Sequence, residues 1–319
     1  MGYDCKFGGE VSLFTEKLLS RCADMCFNRY GIVPQTLYPD SFNAKNSSMM
    51  DSILTKKLRE DGLKLRKLKS SDASDSTIAA AKEKMLQDVI RVVTLCLGPP
   101  PAADEKFSWE FYDRNDKLKT VSLTPLEFAK SAEVTKFVSL TNDPRNDYMR
   151  LLTVSNLGNV WDGRPVSYIN VDTIVLKEAC VAMLRKGLPI FFGSDVGQQC
   201  DSRKGIMDTD LMDYELGFNI KLGMSKAERL LTGESQMTHA MVLTAVHLDK
   251  DNKPVRWRVE NSWSDAAGVG GYFVMSDKWM DEFCYQAVID KSVLNKEVLD
   301  VLKQDAKVLP LWDPMGALA

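Results

Sequence analysis

Several features that would place this 319-residue chain in a specialised class are missing from its sequence. The longest apolar runs, Val92 to Leu97 and Leu188 to Phe192, are far shorter than the ~20 residues of a membrane-spanning helix. The N-terminus has no apolar signal core, and Asp4, Glu10 and Glu16 are atypical of an organelle presequence. Neither sign of charge dominates, since 41 basic residues stand against 44 acidic ones. We therefore expect no membrane partner. The overall charge argues neither for nor against binding to nucleic acid.

Cysteine is present, but not in a pattern that predicts disulfides or a metal site. Seven scattered cysteines do not form the framework of a small secreted protein. Cys22 and Cys26 lie close together, but no second Cys or His pair completes a zinc site. Cys200 is predicted in a loop, and three cysteines are predicted to fill helical core positions, namely Cys96, Cys180 and Cys284. We expect no metal, no cofactor and a reducing compartment, either the cytoplasm or, in an alternative form, the mitochondrion.

Helical patterns dominate the first third of the chain. Apolar residues recur at helical spacing through residues 49–68, among a basic run from Lys56 to Lys69 that predicts an amphipathic helix. A polar break precedes a second helical pattern, which stops at Gly98 and three prolines. Residues 49–101 are therefore predicted to form a helical hairpin. Residues 1–23 show no clear period.

The remainder of the chain is mostly strand-like. Residues 107–121 alternate around a polar turn, as a β-hairpin does. Helix starts are predicted at Thr124, where Glu127 completes a capping box, and at Asp172. Further strands are predicted at residues 189–193, 241–248, 255–259, 271–275 and 285–289. A helix-rich part followed by a strand-rich part predicts an α+β fold with an antiparallel sheet.

Histidine is scarce, so an imidazole base has two candidates, His239 and His247. His239 stands immediately before a predicted strand, and Asn261 follows 22 residues later at the end of the next. If these strands are antiparallel neighbours, the intervening turn brings the two side chains together. A thiol peptidase needs an imidazole to take the cysteine proton and an amide oxygen to orient that imidazole. Trp263 is placed to cover that hydrogen bond. Taken alone, the pair fits an ordinary structural histidine and a turn better than it fits a catalytic pair, and only the wider segments reverse that judgement.

Longer segments around this pair form an ordered set. They comprise residues 234–241 and 257–263, the tail 311–319, and upstream residues 30–34, 107–110, 124–128, 142–145 and 192–197. Together they resemble the bleomycin hydrolases, a branch of the papain-like cysteine peptidases. The resemblance covers nearly everything from about residue 24 onward.

The resemblance implies a cysteine-type aminopeptidase that acts on peptides, with His239 as catalytic base and Asn261 as its orienting partner. It implies a papain-like fold in which residues 24–48 belong to the helical part, 49–101 are an insertion and 102–305 form the β-rich part. Family members assemble as homohexameric barrels with active sites facing an inner chamber. Their C-terminal tail, residues 306–319 here, enters the cleft, so the carboxylate of Ala319 would select the α-amino end of the substrate.

One departure from the family pattern concerns the nucleophile. The family cysteine follows a glutamine, precedes a tryptophan and comes before the histidine, and the contexts of Cys5, Cys22 and Cys26 do not match. We therefore expect the nucleophile-bearing N-terminal part to be missing and the isolated chain to be inactive. One alternative is a catalytically dead family member. Another is a nucleic-acid-binding barrel that uses residues 56–69, although that run lacks the interleaved aromatics that stack on bases.

Overall fold

A computed structural model describes residues 30–113, 115–131, 137–157, 166–263 and 265–316. These residues form two compact units, 30–131 and 137–316. The predictions for residues 1–23 lie outside the described residues. None of the described helices has the length and apolar character that a bilayer crossing requires.

A pair of long helices dominates the first unit. After the short helix α1 (Phe42–Lys45), helix α2 (Ser48–Ser70) and helix α3 (Asp75–Leu97) form the predicted hairpin. The Ser74 hydroxyl caps α3 by accepting a hydrogen bond from the amide of Thr77 at 3.2 Å. Lys57 on α2 pairs with the buried Asp61 at 2.6 Å and reaches Asp88 on α3 at 3.4 Å, which joins the two helices.

A two-stranded sheet and a short helix complete this unit. Strands β1 (Phe107–Tyr112) and β2 (Leu118–Leu123) pair antiparallel, as predicted, and helix α4 (Pro125–Ser131) follows. The predicted capping box is present, because Glu127 accepts from the Thr124 amide at 2.8 Å and the Thr124 hydroxyl accepts from the Glu127 amide at 3.2 Å. Gly31 has a positive φ of 75°, and a Cβ there would lie 2.1 Å from the carbonyl carbon of Pro125.

An eleven-stranded sheet organises the second unit. Its strands are β3 (Phe137–Thr141), β4 (Arg150–Val154), β5 (Tyr168–Asn170), β6 (Ile190–Ser194), β7 (Cys200–Asp201), β8 (Ile206–Met207), β9 (His239–Leu248), β10 (Pro254–Glu260), β11 (Tyr272–Ser276), β12 (Cys284–Asp290) and β13 (Lys307–Leu309). They lie in the order β13-β4-β5-β3-β12-β6-β9-β10-β11-β8-β7.

Helices pack around this sheet and complete the predicted α+β class. They are α5 (Thr173–Arg185), α6 (Tyr214–Phe218), α7 (Lys226–Thr232), α8 (Asp277–Phe283) and α9 (Lys296–Asp300), with single 3-10 turns at Gln35–Leu37 in the first unit and at Lys291–Val293, Val301–Lys303 and Pro314–Gly316 here. Asp172 caps α5 as predicted, accepting from the amide of Ile174 at 2.9 Å. The core between α5, α8 and the sheet includes the fully buried Trp257, Trp279 and Phe192. Burial of each such side chain stabilises the fold by roughly 1.5–3 kcal/mol.

Some local predictions were wrong. The sheet is not purely antiparallel, because β3–β5, β4–β13 and β8–β11 pair parallel. Long connections separate these strands, so no tight turn forces an antiparallel arrangement. Cys200 lies in β7 rather than in a loop, and Cys284 begins β12 rather than sitting in a helix. Val255 is 44% exposed, so the alternation in β10 buries Trp257 and Val259 but not Val255.

Candidate active site

His239 and Asn261 meet at one end of the antiparallel pair β9–β10. The turn between the strands is closed by a 2.9 Å hydrogen bond from the Asp249 amide to the Lys253 carbonyl. His239 is the first residue of β9, and Asn261 follows the last residue of β10 directly. The Nε2 atom of His239 lies 2.9 Å from Oδ1 of Asn261. The predicted proximity of the two side chains is confirmed.

The amide oxygen of Asn261 determines the tautomer of His239. Because Oδ1 only accepts hydrogen bonds, Nε2 carries the proton and the lone pair of the neutral ring is on Nδ1. Oδ1 also accepts a hydrogen bond from the backbone N–H of Ser262 at 2.8 Å. The backbone N–H of Asn261 donates to the Gly271 carbonyl at 3.0 Å. The contact with Ser262 holds the side-chain oxygen toward the imidazole, since a reversed side chain would place an NH2 group against the Ser262 backbone N–H. The bond to Gly271 fixes the backbone of Asn261.

Trp263 packs on the imidazole. Its ring centroid lies 4.9 Å from that of His239 at an interplanar angle of 30°, and Phe273 supports it edge-on at 6.1 Å. Trp263 remains 41% exposed, so its outer side faces solvent. The indole lies against the imidazole, and such ring contacts contribute about 0.5–1.5 kcal/mol. That it covers the hydrogen bond to Asn261 stays a prediction.

A buried carboxylate anchors the segment that leads into His239. Ser194 and His239 are register partners of β6 and β9. Asp195, which is 6% exposed, accepts hydrogen bonds from the hydroxyls of Ser235 at 2.7 Å and Thr238 at 3.3 Å. The amide of Thr238 also donates to the Ser194 carbonyl at 3.0 Å. The residues preceding His239 are thereby hydrogen-bonded to the end of strand β6.

The same network reaches the core through a tyrosine. The hydroxyls of Ser235 and Tyr285 lie 2.6 Å apart, and burial raises the pKa of Tyr285 to about 12. Sequence reasoning did not assign these residues a role. Asp195 and Ser235 both lie within segments that carry the family resemblance, which was the available signal, but no periodicity connects residues 40 positions apart.

The second histidine lies elsewhere on the strand. His247 is exposed on β9, opposite Arg256, and eight residues of strand separate it from His239 by roughly 26 Å. Of the two histidines, His239 is the one bonded to an asparagine.

The described cysteines lack the environment of an activated thiol. Burial raises the pKa of Cys200 and of Cys284 to about 11, and it also raises the pKa of the fully buried Cys180. A nucleophilic thiol requires a lowered pKa and access to substrate. Cys96 lies on α3 in the first unit. Four predicted or considered residues lie outside the described part of the chain, namely Cys5, Cys22, Cys26 and Ala319.

The tail is tied to the sheet as far as it is described. The guanidinium of Arg145 contacts the carboxylates of Asp143 and Asp313, each at 2.8 Å. Met315 is buried and Gly316 is the last described residue.

Comparisons with known proteins identify the family to which the chain belongs. A family model described as the Peptidase C1-like family matches residues 22–316. The chain is 41% identical over 299 residues to aminopeptidase C of Streptococcus thermophilus, covering 92% of the chain and 66% of that relative. It is 41% identical over 310 residues to bleomycin hydrolase of Homo sapiens, covering 93% and 68%.

A solved structure shows the same fold. The crystal structure of PepW from Lactobacillus rhamnosis matches with a TM-score of 0.85 and 43% identity, over 93% of this chain and 68% of that one. The chain thus spans about two thirds of the length of the relatives that it matches. The predicted resemblance and the papain-like, bleomycin-hydrolase-type fold are confirmed. The chain belongs to the Peptidase C1-like family of cysteine peptidases.

Proposed function

We propose that this chain carries the imidazole–amide half of a cysteine-type aminopeptidase site that removes N-terminal amino acids from peptides. The observation that carries the proposal is the 2.9 Å contact between His239 Nε2 and Asn261 Oδ1 in a chain of this family. This contact supports His239 rather than His247 as the catalytic base, because His247 is not hydrogen-bonded to an asparagine among the described residues.

In the proposed reaction, Nδ1 of His239 takes the proton of a cysteine thiol. The thiolate attacks the scissile carbonyl, and the imidazolium returns the proton to the leaving amine as the acyl-enzyme forms. Water then attacks the acyl-enzyme with His239 again acting as base. Asn261 Oδ1 accepts from Nε2–H throughout, which stabilises the imidazolium and keeps Nδ1 directed at the sulfur.

The nucleophile is proposed to come from sequence outside this chain. Support comes from the cysteine contexts, none of which follows the family pattern of an upstream glutamine and a following tryptophan. Burial disfavours the thiolates of Cys180, Cys200 and Cys284. The isolated chain is therefore proposed to be inactive as a peptidase.

A direct test measures fluorophore release from an aminoacyl-coumarin amide. It uses the chain as given and the same chain joined to the N-terminal third of aminopeptidase C. We expect no turnover by the first and turnover by the second. His239→Ala is expected to remove that turnover, whereas the matched variant His247→Ala retains it.

Three outcomes contradict the proposal in distinguishable ways. Turnover by the isolated chain means that the nucleophile assignment is wrong. Loss of turnover with His247→Ala but not with His239→Ala means that the base is misassigned. A folded fusion without turnover means that the chain is a catalytically dead family member.

Selection of the substrate N-terminus is proposed to depend on the carboxylate of Ala319, which would attract an α-ammonium group. The anchoring of the preceding residues supports this proposal, because Arg145 holds Asp313 and Met315 is buried. Deleting Ala319 from the active fusion is expected to raise the KM for free-amino substrates and to permit cleavage of their N-acetylated forms. Unchanged rejection of N-acetylated substrates would remove this role.

The remaining roles of the chain are proposed from the resemblance. They comprise assembly as a homohexamer and residence in the cytoplasm, with a mitochondrial form as the alternative. Of the described cysteines, Cys96, Cys180, Cys200 and Cys284 are free thiols, which suits a reducing compartment. Weak nucleic-acid binding by α2 is less favoured, because Lys57, Lys64 and Lys69 already pair with carboxylates.

A further inference from the structure

A concave surface lies on the outer face of the sheet, over strands β8, β11, β10 and β9. It encloses a cavity of about 530 Å³. Along β10, Trp257 and Val259 point into the core, whereas Arg256 and Arg258 are exposed. The cavity thus belongs to the solvent face of the sheet, opposite the core.

Basic side chains converge on this cavity. Lys204, His247, Arg256 and Arg258 line it, and none of the lining residues within the described part of the chain carries a carboxylate. Arg256 is the register partner of His247, and Arg256 and Arg258 stand two residues apart on one face, ~7 Å apart along the strand. Neighbouring charges of one sign on a sheet face repel each other, and an anion bound between them would relieve that repulsion.

The arginines are available to a ligand. The guanidinium carbon of Arg258 lies 3.7 Å from the ring centroid of Tyr272, which holds the side chain in place, and the carboxylate of Glu260 interacts with Arg258 through charge without a described hydrogen bond. Within the described residues, the side chain of Arg256 forms no hydrogen bond and no ion pair. Lys204 has one distant carboxylate, that of Asp201 at 3.9 Å.

Exposed apolar side chains lie between these charges. Val274 is 49% exposed, Ile206 is 38% exposed and Val269 is 76% exposed, and the exposed Ala245 adjoins His247. Paired cations with an apolar floor are complementary to a ligand that carries acidic and apolar groups on the same side.

We propose that this face binds an extended acidic segment of a partner protein, with two carboxylates at alternate positions. Such side chains repeat every ~7 Å in an extended chain, which matches the spacing of Arg256 and Arg258. Apolar residues two positions before and after the carboxylate pair point to the same side as the carboxylates, because side chains alternate along an extended chain, and they would contact Val274 and Ile206. The proposal is independent of the peptidase site, since none of its residues contacts His239 or Asn261 through any described interaction.

Fluorescence anisotropy of a labelled peptide with the pattern Val-Ser-Glu-Ser-Glu-Ser-Val, which places its valines and glutamates on one side when extended, tests this proposal on the chain as given. We expect binding that weakens at least tenfold in the double variant Arg256→Glu/Arg258→Glu and falls steeply with salt. The matched control Lys64→Glu/Lys67→Glu makes the same charge change on α2 and should leave the affinity unchanged. Val274→Asp should also weaken binding, and thermal unfolding verifies that each variant is folded.

Several results would overturn the proposal. One is equal loss of affinity in both double variants, which indicates nonspecific charge attraction. Another is equal binding of the charge-reversed peptide Val-Ser-Lys-Ser-Lys-Ser-Val. An oligonucleotide that binds more tightly than the acidic peptide, and only when both arginines are present, would identify a nucleic-acid surface instead. A change of oligomeric state in sedimentation of Arg256→Glu/Arg258→Glu would show that a second copy covers the face.

Discussion

The hydroxyl of Ser235 donates a hydrogen bond of 2.7 Å to the buried carboxylate of Asp195, 40 residues away in the sequence. Asp195 follows β6 directly, and Ser235 lies four residues before His239. The contact joins the end of β6 to the segment that precedes β9. It therefore helps to determine where the imidazole stands relative to the sheet.

Replacement of Ser235 by alanine tests this anchoring. Ser235→Ala removes the contacts with both Asp195 and Tyr285, leaving two buried polar groups short of a partner. We expect a loss of about 1–3 kcal/mol in the free energy of unfolding, measured in urea. The imidazole NMR signals of His239 should shift while those of His247 stay in place. Ser202→Ala, at an exposed serine of the same unit, should change neither, and an unaltered His239 signal in Ser235→Ala would contradict the anchoring role.

The contact between His239 and Asn261 makes a prediction about the hydrogen bond of the imidazole. Asn261→Asp replaces the neutral amide oxygen, 2.9 Å from Nε2, with a negatively charged one. The NMR signal of the His239 Nε2–H proton should move downfield, because a charged acceptor makes a shorter and stronger hydrogen bond than a neutral one. Imidazole spectra of the two chains at the same pH measure the change, and the signals of His247 should stay in place. An unaltered His239 signal would show that the two side chains do not meet in solution.

Burial of Cys284 predicts a loss of stability at alkaline pH. Burial raises the pKa of this thiol from an ordinary value near 9 to about 11. Between these two values the unfolded chain releases the proton and the folded chain keeps it, so unfolding becomes more favourable as pH rises. The contribution is fully present below pH 9 and is lost as the pH approaches 11.

The variant Cys284→Ala isolates this effect. From pH 8 to pH 11, in the presence of a reductant, the unaltered chain should lose about 2 kcal/mol more of its unfolding free energy than the variant does. Met280→Leu, a neighbouring core change without an ionisable group, should keep the original pH dependence. Parallel pH profiles for the chain and Cys284→Ala would contradict the prediction.

The buried ion cluster at the tail should contribute strongly to stability. Arg145→Met leaves the carboxylates of Asp143 and Asp313 buried without their cation. We expect a loss of about 3–5 kcal/mol in urea unfolding, because the desolvated charges are no longer compensated. Arg150→Met, at an exposed arginine in the same unit, should cost less than about 0.5 kcal/mol. Similar losses in the two variants would show that the cluster is not a specific support.

Much of the local structure was predictable because its causes are local. Helical periodicity and the break before Asp75 predicted the hairpin of α2 and α3, and the side-chain chemistry of Thr124 and Glu127 predicted the start of α4. Two strands joined by a short turn predicted that His239 and Asn261 would meet, since a tight turn leaves neighbouring strands little choice but to pair antiparallel.

Other features depended on contacts between distant parts of the chain. The direction of β13 beside β4, the bonds between Asp195 and Ser235, and the pairing of Arg145 with Asp313 all join residues that no periodicity connects. The assignments of Cys200 and Cys284 were wrong for the same reason, because strand pairing overrode their local patterns. Sequence alone therefore determined the elements and the chemical identity of the histidine–asparagine pair. Tertiary structure decided the strand order and which buried groups hold that pair in place, because burial and long-range hydrogen bonding exist only once the sheet has assembled.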